Sequence, residues 1–242
     1  MARRGRAARL QSRAAVRPHS SRPLDDNELT ERGLAAPDYK PGRILLIACG
    51  ALAREILDIN GNNQLTHIDL TCLPAKLHLY PDQIPGAVTA AVKKHRASYD
   101  QIFVVYADCG TGGKLAETCA KLGVEMVPGP HCYAFFEGNT QFEQLTDEGE
   151  ITAFYLTDFL VKQFDAFVWR PMGLDRAPEL RDLIFGNYTT LVYQSQLNDA
   201  ALLEKARDCA ARLGLEFVHR HTGYGELEPI LTRWNATAAA TA

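Results

Sequence analysis

A chain of 242 residues with 46% hydrophobic and 23% charged side chains has room for one α/β core with appendages. Its apolar runs are far shorter than the ~20 residues that cross a bilayer. The net charge of −3 conceals an asymmetry: residues 1–22 carry seven arginines and no acid. The remainder is therefore distinctly acidic and argues against nucleic acid as a partner of the folded part.

Residues 1–40 read as a disordered basic tail. Its arginine-rich, acid-free composition is compatible with a mitochondrial transit peptide, a disordered extension or a start codon placed too early. A single domain is expected over residues 41–234, with an Ala/Thr-rich tail over 235–242. The continuous apolar run Ile44 to Ala48 has the character of a central parallel strand, ending in Cys49-Gly50 and passing into a helix from Ala51 to Asn60. A second strand, His67 to Leu73, leads through the proline-punctuated loop around His78 to a helix near Ile84 to Ala97.

Tyr99 to Tyr106 reads as the third strand and ends in the turn Asp108-Cys109-Gly110-Thr111-Gly112-Gly113. A helix from Lys114 to Leu122 stops at Gly123, and a fourth strand, Val124 to Val127, breaks at Pro128-Gly129-Pro130 ahead of His131-Cys132-Tyr133. Phe154 to Phe164 has helical spacing of apolar residues, with Thr157 or Asp158 as its cap. Tyr188 to Tyr193, Asp199 to Leu213 and Leu215 to Val218 then read as strand, helix and strand. The junctions Leu122 to Val127 and Leu213 to Val218 echo one another as helix–Gly–strand, a shared structural solution. This alternation predicts an α/β fold: a mostly parallel, Rossmann-like sheet with helices on both faces, in a single domain.

Six cysteines in a chain of this length, with no secretory signal, are no disulfide scaffold, and reduced thiols in the cytoplasm are expected. Cys119 and Cys209 fall mid-helix among alanines and read as core; Cys72 ends a strand and is undecided. Cys49, Cys109 and Cys132 each follow a predicted strand, at the sheet edge where open α/β folds bind ligands. Three thiolates there suit zinc, or an iron–sulfur cluster with an open iron. They are the candidate metal ligands, weighed against three inert buried thiols. His78 and His131 are candidates for a fourth ligand or for proton transfer, and Tyr133 for a supporting catalytic role. His131 adjoins Cys132, so sharing one metal is awkward, and a hydrogen bond to a backbone carbonyl is its structural alternative.

Gly110, Gly112 and Gly113 form a strand-to-helix turn whose N–H groups are candidates for holding a phosphate or carboxylate. The spacing matches neither a P-loop nor GxGxxG. The glycines otherwise serve to let backbone approach a cofactor bound at Cys109. Tyr155, Tyr224, Glu137 and Asp158 are placed near the same edge in supporting roles.

From Arg43 to Leu231 the sequence resembles the DUF1638 proteins of bacteria and archaea. The motifs are Ile47-Ala-Cys49-Gly50, Leu73-Pro-Ala-Lys-Leu-His78, Tyr106-Ala-Asp-Cys109-Gly-Thr-Gly-Gly113, His131-Cys132-Tyr133, Phe154-Tyr155-Leu-Thr-Asp158, Phe185-Gly-Asn-Tyr188 and Thr222-Gly-Tyr224-Gly. The resemblance implies association with corrinoid proteins and methyltransferases, since family members often stand beside such systems; it does not imply a mechanism. The resulting expectation is a metal-dependent enzyme or accessory factor in one-carbon transfer, acting on a small molecule. The chain has no DxHxxG cobalamin motif, so any corrinoid would be a partner's. Two alternatives stand beside it. One is a metal-independent enzyme with Cys109 as nucleophile and His78 or His131 as base; the other is a non-catalytic assembly protein of a methyltransferase system.

Overall fold

The computed structural model describes residues 24–37, 44–147 and 152–240. The arginine-rich segment 1–22 lies outside them, and so do the alternatives raised for it. Strand β1 (Ile44–Cys49) is buried at every position, as its unbroken apolar sequence requires. It lies between β2 (Ile68–Leu73) and β3 (Gln101–Val105), parallel to both. The register sets Ala48 beside Cys72 on one side and Val105 on the other, so the three strands end level. Their turns consequently emerge together at the carboxyl edge.

Helix α2 (Ala53–Asn62) follows β1 through a short turn, and α3 (Ile84–His95) follows β2. Helix α4 (Lys114–Leu122) joins β3 to β4 (Glu125–Met126), and its stop at Gly123 is left-handed, with φ of 63°. Beyond β4 come α5 (Cys132–Glu137), α6 (Asn139–Asp147), β5 (Ala153–Thr157), α7 (Asp158–Lys162) and α8 (Leu180–Phe185). The chain ends with β6 (Thr190–Ser195), α9 (Ala200–Leu213), β7 (Glu216–His221) and α10 (Leu227–Ala240).

The architecture is α/β with parallel strand pairing and helices packed around it, but the strands divide into two sheets. One has the order β2-β1-β3-β4 and the other β5-β6-β7. The first stops at β4 because that strand is only two residues long, half-exposed, and followed by Pro128-Gly129-Pro130. A single hydrophobic core nevertheless runs through both, from Leu46 to Leu191 and Tyr193, which makes them one domain. The echoed helix–Gly–strand junctions occupy equivalent places, each delivering an edge strand to its sheet.

Three segments depart from the sequence reading. Residues 24–37 are not tail: α1 (Asp26–Glu31) is capped by the Asp25 carboxylate, and Leu29 is only 2% exposed. Leu34 then forms an antiparallel bridge with Cys72, covering the free edge of β2. The polar average of this stretch masked two well-placed leucines. At the other end, α10 continues through Asn235 to Ala240, since alanine is a strong helix former whatever its complexity. Its Trp234 is buried and stacks on Phe103 of β3 at 4.4 Å. Finally, the expected helix 154–164 opens as β5, paired with β6 from Ala153↔Thr190 to Thr157↔Gln194, and only then becomes α7. Thr157 is its cap, accepting from the Leu160 N–H.

Candidate metal centre

The turn after β1 begins at Cys49, which is fully buried and accepts a hydrogen bond from the Ala51 N–H at 3.4 Å. Gly50 is required here: a Cβ would stand 2.5 Å from the Leu29 carbonyl oxygen. After β2, Pro74 starts a short 3₁₀ turn, Ala75–Leu79, that carries His78 inward. The His78 Nε2 lies 3.1 Å from the Cys49 Sγ.

The third turn follows β3. Cys109 itself takes a left-handed φ of 50°, an uncommon conformation for a residue with a side chain. It is held by its own N–H donating to the Pro130 carbonyl at 2.9 Å and by the preceding Asp108 N–H donating to Gly129 at 3.0 Å. The same two bonds fix the 128–130 segment that delivers Cys132, the first residue of α5. The Sγ atoms of Cys109 and Cys132 are 3.5 Å apart. His78, Cys109 and Cys132 each place one ligand atom within 4.8 Å of the others, and Cys49 joins them through His78. The three sequence-predicted cysteines and one of the two predicted histidines thus meet at one place.

Charge follows from this packing. Burial works against an imidazolium at His78, but the sulfurs of Cys49 and Cys109 outweigh it and raise its pKa well above the usual value. Hydrogen bonding with Cys132, with burial opposing and His78 assisting, holds the Cys109 thiol well below its ordinary range. Its partner moves oppositely: the Cys109 contact and burial raise the Cys132 thiol well above its ordinary range. The shifts thus run in opposite directions across the group, toward charge at His78 and Cys109 and away from it at Cys132, and metal binding displaces protons from such ligands.

The spacing can be compared with that of a bound ion. Zinc bonds of ~2.3 Å to sulfur and ~2.0–2.1 Å to nitrogen, at tetrahedral angles, separate two sulfurs by about 3.8 Å and a sulfur from a nitrogen by about 3.6 Å. The observed 3.5 Å and 3.1 Å need to open by only a few tenths of an ångström. An iron–sulfur cluster sets each cysteine on its own iron, which requires sulfurs far beyond mutual contact. These two contacts suit one small, soft-ligated cation better than a cluster.

The glycine-rich turn has a different role from the one its composition suggested. The Asp108 Oδ1 accepts from the Thr111 hydroxyl at 2.6 Å and the Gly113 N–H at 2.8 Å, and Oδ2 from the Gly112 N–H at 3.0 Å. The carboxylate held by this turn is its own. Gly112 and Gly113 are spent on it, and Gly110, Gly112 and Gly113 all have positive φ, so their glycine character serves the shape of the turn.

His131 does not bond a carbonyl; its ring stacks on Tyr133 at 4.7 Å, and burial lowers its pKa. Tyr133 is in turn stacked on Tyr155 at 5.0 Å. These rings, with Pro130, Phe142 and Tyr188, wall a cleft of about 860 Å³. Cys132 stands between two of its lining residues and, alone among the four sulfur and imidazole positions at the centre apart from His78, is only half-buried. The other predicted neighbours are committed elsewhere. Tyr224 donates to Asp58 at 2.9 Å, Glu137 accepts from the Gln194 amide at 2.8 Å, and Asp158 accepts from Tyr193 and from the N–H groups of Gln196 and Leu197.

Cys119 and Cys209 are core thiols, each pushed up to about 11 by burial. Cys72 is also buried and outside the ligand group, and burial raises its pKa. Tyr106 was missed by sequence reasoning. It is fully buried beside the centre, its ring 6.3 Å from that of His78. A polar tip at the end of an apolar strand, three residues before Cys109, was the available signal.

An α/β domain with a thiol-rich centre at its strand ends is thus the class of protein that fold and site define. The chain belongs to the DUF1638 family, a protein family of unknown function, which matches residues 72–231. That span contains His78, Cys109 and Cys132 but not Cys49. No curated protein and no solved structure matches the chain. Among the described residues, no helix is long and apolar enough to cross a membrane.

Proposed function

We propose that this protein is a zinc–thiolate enzyme or accessory factor of one-carbon transfer, with His78, Cys109 and Cys132 as ligands and Cys49 completing the set. The observation that carries the reading is the convergence of these ligand atoms to within 4.8 Å, at separations suited to a single ion. Thiolates and imidazole at such spacing favour zinc over the harder divalent cations. When bound, the metal supplies a soft nucleophile of lowered pKa, which is the chemistry that methyl transfer to or from sulfur demands. The chain's own contributions are positional. Asp108 locks the Cys109 turn, and His131 and Tyr133, the chain neighbours of Cys132, wall the cleft that a small-molecule substrate would occupy. A corrinoid protein or methyltransferase is the partner that goes with this reading. A reducing cytoplasm is the setting that goes with this reading, since thiols that bind a metal must stay reduced.

The test is elemental analysis and a visible spectrum of protein prepared without oxygen. We expect about one zinc per chain, no iron–sulfur charge-transfer band, and loss of metal in Cys109→Ala and His78→Ala. Visible bands with several irons per chain, or metal-free protein that transfers methyl groups at full rate, would overturn the reading. The Cys109–His78 pair supports a second one, a metal-independent cysteine nucleophile with His78 as base. Activity that survives exhaustive chelation and is abolished by alkylating Cys109 would establish it.

A further inference from the structure

The cleft beside Cys132 has a chemical bias of its own. At about 860 Å³ it falls in the range that holds a small organic molecule, ~300–1,000 Å³. The carboxylates of Glu143, Asp147 and Glu226 line it, and among the described residues no lysine or arginine does. Glu143 and Asp147 are exposed, whereas Glu226 is half-buried and held in place. Its Oε2 accepts from the Asn139 amide at 2.6 Å, and the same amide donates to the Pro128 carbonyl at 3.3 Å. Asn139 is neutral, so a bound cation would supply the counter-charge that this partly desolvated carboxylate lacks among the described residues. The rest of the wall is aromatic. Tyr133 and Tyr155 lie parallel at 5.0 Å, Phe142 tilts against both at 5.6 and 5.4 Å, and Tyr188 is exposed. Aromatic rings attract weakly hydrated cations and shed water from an apolar body, while carboxylates take the charge. An anion would find like charges instead, and the glycine-turn N–H groups that could receive it are taken by Asp108.

We propose that this cleft binds a small organic cation, a positively charged nitrogen on an apolar body, with the body against Tyr133, Phe142 and Tyr155 and the charge against Glu226. As a substrate class it rests on the proposed function, which seats the substrate here; as a binding site it needs no metal. It also names what the cleft turns away: phosphates and carboxylates, which its charge repels.

Calorimetric titration of the full chain with probes of one shape and different charge tests this: cyclohexylammonium, cyclohexanol and cyclohexanecarboxylate. The ammonium should bind about tenfold more tightly than the alcohol, and the carboxylate more weakly than either. Glu226→Gln keeps an acceptor for Asn139; it should weaken the ammonium about tenfold and leave the alcohol unchanged. Glu143→Gln, at an exposed position that does not endanger folding, should weaken the ammonium less, and less still at high salt. Glu117→Gln removes the same charge from the exposed face of α4, outside the cleft, and should change nothing. The carboxylate binding as tightly as the ammonium would overturn the inference. So would an ammonium affinity that ignores both Glu226→Gln and Glu143→Gln, or one that falls equally in Glu117→Gln. Zinc uptake by the same preparation is read separately. Cation binding by protein that takes up no zinc would leave this site standing and remove the zinc–thiolate reading; zinc uptake without cation binding would do the reverse.

Discussion

Glu55 stands in the first turn of α2, 5% exposed, with its Oε2 unpaired. Burial, reinforced by the nearby Asp158 and Asp58 and only partly offset by its own N–H and Lys162, raises its pKa from 4.5 to about 7. The folded protein therefore holds a proton that the unfolded chain has already released between those two values. Stability must fall as pH rises from 4.5 to about 7 and level off above, the reverse of the usual carboxylate case. At about 1.36 kcal/mol per pH unit, the loss over that window is about 3 kcal/mol. Glu55→Gln keeps the shape of the protonated acid and removes the titration. Urea unfolding of both proteins at a series of pH values should give similar stabilities at pH 4.5 and a gap growing to about 3 kcal/mol in favour of Gln by pH 8. Parallel stability curves across that range would refute the reasoning, because they would mean that Glu55 ionises at the same pH folded and unfolded.

Three further perturbations follow from the packing. Asp108→Ala removes the acceptor of three hydrogen bonds from the turn that holds Cys109 at positive φ, at about 1 kcal/mol each. The resulting ~3 kcal/mol should lower the melting temperature by roughly 6–12 °C, together with weaker zinc binding. An unchanged melting temperature would mean that the turn holds its shape unaided. Trp234→Ala should cost about 3–5 kcal/mol by chemical denaturation, since the indole is buried against Phe103; an ordinary surface value would show α10 to be dispensable. Leu29→Ala should cost about 2–5 kcal/mol by the same measurement, although it lies in a stretch with the composition of a tail.

The first parallel sheet was legible because β1 and β3 are uninterrupted apolar runs, each followed by a glycine-containing turn and a helix. Periodicity and punctuation agree there, so both element and direction follow. The cysteines were legible for the same reason: residues just after parallel strands must surface at one edge. What stayed hidden depended on partners distant in sequence. Leu29 and Leu34 matter because Gly50 and Cys72 offer them a surface, which no local window reports. Phe154 and Tyr155 suit either period, and pairing with β6 decided for strand. The division into two sheets turned on the brevity of β4, a quantity that boundary uncertainty obscures.

The polar groups near the strand ends also sharpen the site by elimination. The glycine turn looked like an anion cradle until Asp108 proved to fill it. Glu137, Asp158 and Tyr224, each a plausible acid or base by position, are bound to Gln194, to Tyr193 with the loop after β6, and to Asp58. A residue already satisfied in this way gains nothing by binding a ligand, because it must first give up a bond of equal worth. The groups that would gain are those whose present contacts are weak: sulfur against sulfur and sulfur against imidazole. A single soft cation would convert both into coordinate bonds. That one addition would satisfy both contacts is the physical reason to look for a metal there before looking for any other cofactor.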